Sequence, residues 1–391
     1  MFTRNFLLIL MANILLGAAM PLLIILGGFA GAELVPGSLL VTLPPTVQTL
    51  AGILVAAPLS IFMGRFGRQA GFLLSAGLVM AGGASGALAM QVSHFGLLCL
   101  GHLLLGAALI GVNYFRFAAA ESVEEKKRAR AMSFTLASGL VAALLGPEIF
   151  THTRNLLPTF PFAGAYWAIA GLGLIGLLPV LGLGKELRQR TQSTGQSQKG
   201  AWKALIRRPQ ILFAIGVAAL SHAVMVFLMT PTPLAMTGCG FGEGQAADVI
   251  RWHVVAMFAP GFFTGHLIER FGAKSIASLG LLISLGSAAV AASGLDLSDF
   301  YIVLILLGLG WNFGFTGGSH LLQASVTMEE KPLVQGVNDT LIALCSSLAA
   351  LSSGAMVVSV GWTALSIAVM PVIVVLMGAL MLIGRRHVSN A

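Results

Sequence analysis

The chain has 391 residues, of which 57% are hydrophobic and only 9% charged, with a mean hydropathy of +0.92. A soluble domain carries about a quarter charged residues, so this composition excludes a water-soluble globular protein. The net charge of +8 sits in loops between apolar runs, where it is a topology signal and not a nucleic-acid footprint.

The apolar runs are about twenty residues long, enough to cross a bilayer as helix. Backbone polar groups in lipid must be satisfied within the segment, so such runs are helices. The first run passes signal-peptide length without a small-residue cleavage site and reads as a span. In chain order the expected spans are 5–28, 40–63, 70–91, 95–118, 131–152 and 161–184, then 209–233, 246–268, 274–294, 300–323, 334–358 and 363–384. The fold class is therefore an all-α membrane protein with twelve transmembrane helices. The long polar break at 185–208 lacks apolar periodicity and reads as a cytoplasmic linker. It separates a six-helix half at 1–184 from a second at 209–391.

Orientation follows the Lys/Arg asymmetry of the loops. With both termini in the cytoplasm, only Arg154 and Arg251 of the 22 Lys and Arg fall outside. The halves also repeat. Arg65-Phe66-Gly67 recurs 205 positions later as Arg270-Phe271-Gly272, and the Glu-Glu-Lys ending at Lys126 recurs at the same offset, ending at Lys331. Parallel repeats of this kind belong to transporters that bind substrate near mid-membrane.

The loop Gly265-His-Leu-Ile-Glu269-Arg270-Phe-Gly272-Ala-Lys274 and its counterpart Ser60-Ile-Phe-Met-Gly64-Arg65-Phe-Gly67-Arg68-Gln69 resemble the loop signature of the major facilitator superfamily (MFS), G-x-x-x-D-R-x-G-R-K. The first copy has Gly64 where the family has an acid. The resemblance spans essentially the whole chain. It implies alternating access, with Arg65, Arg68, Glu269, Arg270 and Lys274 in the gating loops.

Met225 and Met229 in the seventh span, and His253 and Met257 in the eighth, are i, i+4 pairs on single helix faces. With sixteen Met and eight His in the chain, chance alone supplies about 0.7 MxxxM and about 0.3 HxxxM pairs, and Met commonly fills apolar gaps. Both pairs lie at similar depth on sequence-adjacent helices. Thioether and imidazole donors suit copper, and a carboxylate ring for magnesium or calcium is lacking. From spacing alone, packing remains the favoured reading. The stretch VMVFLMTPTPLAMTGCGF followed by WHVVAMFAPGFFTGHLIERFG looks like the CcoA-type copper importers, a branch marked by these two pairs. That resemblance implies copper as transported substrate, with Met225, Met229, His253 and Met257 as its ligands. It also implies residence in the inner (cytoplasmic) membrane, copper supply for cbb3-type cytochrome c oxidase, and functional links to copper chaperones and oxidase assembly factors. Relatives in the same branch without the pairs are associated with riboflavin, so an importer of a small organic molecule is the alternative. A multidrug exporter is weaker, because the glycines expected after Gly146-Pro147 are missing.

The three cysteines form no disulfide framework and no CxxC. The resemblance suggests a thiol role for Cys239 and Cys345, and Cys99 reads as packing. Glu148 and Asp339 are carboxylates within or at the edge of spans and are candidates for proton coupling. Arg116 is expected to pair with Glu121 or to reach the interface. His222, one turn from Met225, is a further ligand, a proton carrier or a hydrogen-bonded structural residue. No Walker motif or nucleophile–base pattern is present, so the chain is expected to be no enzyme. No prosthetic group and no nucleic-acid partner are expected, and the protein is read as a monomer in the lipid bilayer.

Overall fold

In a computed structural model, residues 3–124, 127–184, 187, 208–327 and 330–388 are described. Their regular secondary structure is helical, and ten of the resulting segments are long and apolar enough to cross a membrane. The expected linker at 185–208 lies almost wholly outside the described residues, as do Glu125, Lys126, Met328 and Glu329 of the repeated loop.

The first span is two helices in series, α1 (Arg4–Gly17) and α2 (Ala19–Leu34). Pro21 has no N–H for the Gly17 carbonyl, which accounts for the interruption at Ala18. Next come α3 (Leu43–Phe66), α4 (Arg68–Gln91), α5 (Phe95–Asn113) and the short α6 (Phe115–Glu121). The fifth span is α7 (Arg128–Thr153) and the sixth α8 (Ala163–Leu181). The seventh is α9 (Pro209–Met229) continued by α10 (Thr232–Gly238). The eighth is broken into α11 (Glu243–Phe258) and α12 (Gly261–Phe271). The series ends with α13 (Ala273–Ser293), α14 (Leu297–Ala324), α15 (Lys331–Ser359) and α16 (Gly361–Val388).

The breaks have local causes. Pro231 and Pro233 withhold donors from the turn joining α9 to α10, and the Thr232 hydroxyl donates to the Leu228 carbonyl at 2.7 Å. At Pro260 the missing N–H interrupts the eighth span. Large apolar side chains such as Ile61, Leu178 and Val375 are exposed on the helix flanks. That pattern is unfavourable in water and suits contact with acyl chains.

The chain divides into two compact units. One comprises residues 1–194 together with 243–255. Within it Gly82, Gly83 and Gly86 of α4 face α5 and α8 so closely that a Cβ at Gly83 would lie 2.5 Å from the Ala170 backbone nitrogen. Close approach of this kind is how apolar helices associate where no hydrophobic drive separates them from lipid. Polar pins reinforce it. Asn13 Nδ2 donates to Ser138 Oγ at 2.8 Å, joining α1 to α7. Gln69 Nε2 donates to the Val180 carbonyl at 2.9 Å, joining α4 to α8. The fully buried His102 lies 2.8 Å from the Tyr166 hydroxyl through Nε2 and 3.0 Å from Gln48 Oε1 through Nδ1. Gln48 accepts, so Nδ1 carries the proton and Nε2 accepts from Tyr166.

The other unit comprises 195–242 and 256–391. Its tightest seam is α13 on α14, where Gly280 faces Gly310 and Gly314. Ser287 Oγ adds a hydrogen bond to the Val303 carbonyl at 2.8 Å. The loop repeat has a conformational counterpart. Gly67 and Gly272 both leave their helices at positive φ, +90° and +82°, with extended ψ. That region is essentially reserved for glycine. Arg65 stacks over Phe66 and Arg270 over Phe271, at 5.7 and 5.2 Å.

Candidate functional site

The thioether and imidazole pairs are buried. Met225 and Met229 are 2% and 7% exposed on α9, and His253 and Met257 are 0% and 1% exposed on α11. Each pair lies one helical turn apart along its own helix. Met225, Met229 and Met257 belong to one compact unit, and His253 belongs to the other. Among the described residues no three His, Cys, Asp or Glu side chains converge.

Asn312, within α14, contacts the break beside Met257. Its Nδ2 donates to the Met257 carbonyl at 2.7 Å. Thr264 Oγ1 lies 2.6 Å from Asn312 Oδ1 and 2.7 Å from the Pro260 carbonyl, and its single hydrogen serves one of them at a time.

An aromatic group occupies the second of the two units. Trp311 and Phe315, one turn apart near the middle of α14, stack with centroids 5.1 Å apart and planes at 14°. His222 of α9 meets Trp311 edge-on at 5.7 Å and Phe315 at 5.7 Å. Phe258, the last residue of α11, adds an edge-on contact to Trp311 at 6.4 Å. The indole Nε1–H donates to His222 Nδ1 at 2.9 Å. All four side chains are partly exposed, unlike the buried Met pairs. Partly exposed aromatic faces at this depth can take a planar ligand by stacking. Sequence reasoning singled out His222 but passed over Trp311, Phe258 and Phe315. Trp usually sits at membrane interfaces, so one at the midpoint of a span was the available signal.

The expected coupling and gating residues resolve into separate contacts. Glu148 of α7 pairs with Arg251 of α11 at 2.5 Å. Arg154, capping α7, pairs with Glu243 in the first turn of α11 at 2.7 Å. Each helix thus gives one acid and one base to a reciprocal clasp, and Asp248 adds a second partner for Arg251 at 3.0 Å. Arg68 holds Glu121 at 2.7 Å. Of the two expectations for Arg116, the pair with Glu121 is not formed: Arg116 lies over the Phe117 ring at 4.8 Å. Asp339 is exposed on α15 and accepts from Gln335 and Asn338. Glu269 and Arg270 are exposed at the end of α12, and Lys274 lies in the first turn of α13. Cys239 is exposed after α10, whereas Cys345 and Cys99 are partly buried, and all three are free thiols.

No family model matches the chain. It is 36% identical over 380 residues to the riboflavin transporter RfnT of Brucella anthropi, covering 97% of this chain and 95% of that one. It is 28% identical over 388 residues to YddS of Bacillus subtilis, an uncharacterized MFS-type transporter, covering 94% and 88% of the two chains. Among solved structures, the nucleoside transporter NupG superposes with a TM-score of 0.68 at 15% identity, over 97% of this chain and 98% of that one. The human organic anion transporter MFSD10 gives a TM-score of 0.68 at 14% identity, over 96% and 99%. These likenesses, with the apolar spans and the doubled loop signature, make the chain a multi-pass membrane protein that belongs to the MFS-type transporters.

Proposed function

We propose that the protein imports a flavin-type planar heteroaromatic molecule, riboflavin foremost, across the bacterial cytoplasmic membrane by alternating access of its two halves. The whole-length likeness to a riboflavin transporter carries this reading. The aromatic group supports it on independent chemical grounds. A flat, fused ring stacks on Trp311 and Phe315 while its polar edge meets a hydrogen-bonding side chain. The test is uptake of labelled riboflavin in a riboflavin-auxotrophic strain without its own importer. Wild-type protein is expected to restore uptake. Trp311→Ala at equal membrane abundance is expected to raise the apparent KM about 5- to 100-fold, the usual range for losing one aromatic stacking platform. Uptake no greater than the empty vector, with the protein present in the membrane, overturns the reading.

Copper import is the second reading, favoured by a specific observation: all four members of the MxxxM and HxxxM pairs are buried. On that reading copper is the substrate, Met225, Met229, His253 and Met257 bind it, and the link to cbb3 oxidase assembly follows. Copper accumulation measured in the same cells separates the two. Loss of accumulation in His253→Ala and in the Met225→Ala/Met229→Ala double variant, with riboflavin uptake intact, would put copper first. Unchanged copper content in all variants would remove it.

A further inference from the structure

We propose that His222 is a specificity-determining residue, held by Trp311 in the one tautomer that presents an Nε2–H donor to an acceptor atom on the edge of a planar heteroaromatic ligand. The inference rests on the flavin reading for the ligand and on the geometry alone for the donor. An indole nitrogen can only donate. Trp311 Nε1 lies 2.9 Å from His222 Nδ1, so Nδ1 must offer its lone pair. A neutral imidazole with an unprotonated Nδ1 carries its hydrogen on Nε2. Among the described residues no hydrogen bond engages that Nε2, and the His222 side chain is partly exposed.

The donor lies beside an aromatic platform. The aromatic neighbours of the ring are Trp311, Phe315 and, beyond them, Phe258, which offer it π faces. A ligand lying along the Trp311–Phe315 stack would find this Nε2–H at its edge. The donor selects ring nitrogens and ring carbonyls over N–H or C–H edges, because two donors set against each other leave both unsatisfied away from water. Trp311 then has two separate tasks: its face stacks the ligand, and its N–H sets the tautomer of His222.

Two measurements test this in the purified full-length protein in detergent. Nitrogen-15 NMR of the histidines, with His222 assigned by its absence in His222→Gln, is expected to show a protonated Nε2 and an unprotonated Nδ1. In Trp311→Phe that tautomeric bias should be lost. A protonated Nδ1 in the wild type overturns the proposal. Riboflavin binding is read by quenching of its own fluorescence. His222→Phe keeps the ring but not the donor and is expected to weaken binding about tenfold. His222→Gln, which can accept from Trp311 and still donate, is expected to stay within about threefold of wild type. Wild-type binding with unaltered affinity in His222→Phe overturns the donor assignment and leaves the flavin reading standing. A wild type with the expected tautomer that binds no riboflavin sinks the flavin reading, and with it the assignment of this donor to a flavin edge.

Discussion

Replacing Gly280 by alanine should destabilise the second compact unit, while the same replacement six residues later should not. A Cβ at Gly280 would sit 2.3 Å from the Gly314 nitrogen and 2.7 Å from the Gly310 carbonyl oxygen. These are backbone atoms of α14 and cannot rotate away. Relieving the contact to an ordinary distance requires the two helices to separate by about 1 Å, which forfeits much of the dispersion gained along the seam. Overpacking of this kind costs about 1–3 kcal/mol. It acts at the small-residue contact on which apolar helices depend in lipid. Gly286 lies on the same helix, and a Cβ there would meet nothing within 4 Å. Gly286→Ala therefore adds only helix propensity and should stabilise by about 0.5–1 kcal/mol. Thermal unfolding in one detergent, followed by loss of the monodisperse size-exclusion peak, gives the two signs. Equal melting temperatures for Gly280→Ala and wild type, or a larger loss at Gly286→Ala, would refute the close-packing argument.

Four further expectations address other parts of the molecule. His102→Ala should cost about 1–3 kcal/mol in the same unfolding assay, because it leaves the fully buried Tyr166 hydroxyl without its acceptor, whereas a change on the exposed Asp339 should leave stability within about 0.5 kcal/mol. Gly272→Ala meets no side chain or backbone within 4 Å, so any loss there reports the positive φ of +82° alone, about 1–3 kcal/mol. In the α7–α11 clasp, Arg251→Glu should lower stability. Pairing it with Glu148→Arg should recover part of that loss, with a coupling of about 0.2–1 kcal/mol per pair because both side chains are partly exposed; no recovery in the double-mutant cycle would dissolve the clasp. Glu330 accepts from the Thr327 backbone N–H, and from the Arg208 guanidinium, and these bonds in that order hold its carboxyl below its ordinary value of 4.5. A depressed folded-state value means the contribution is present at neutral pH and lost as pH falls below 4.5 toward the folded value, so Glu330→Gln should lower stability at pH 7, converge on wild type in acid, and thereby flatten the acid limb of the stability–pH profile.

The spans were legible because lipid imposes a length and a composition that a sequence shows directly. The doubled Arg-Phe-Gly loop was legible because Gly67 and Gly272 must adopt a backbone conformation that excludes other residues. Ion pairs were read less well. Charge counting placed Arg154 and Arg251 together on one side, but partner choice depends on helix rotation, which apolar runs do not encode. Arg68 thus takes Glu121, one of the two expected destinations of Arg116. The same blindness applies to binding chemistry. A motif such as MxxxM is conspicuous because its spacing lies on one helix, and the structure shows those residues buried. The aromatic group draws on three helices, with His222, Phe258 and the Trp311–Phe315 pair separated by dozens of residues. What marks it is physical context: an indole at mid-span, away from the interface where such rings usually rest, with its N–H spent on an imidazole. An imidazole within a span is by default a functional-site hypothesis, and here it is hydrogen-bonded to that indole. For that reason the search for substrate chemistry in this chain begins at Trp311 and His222, and the buried Met pairs are the comparison against which it is tested.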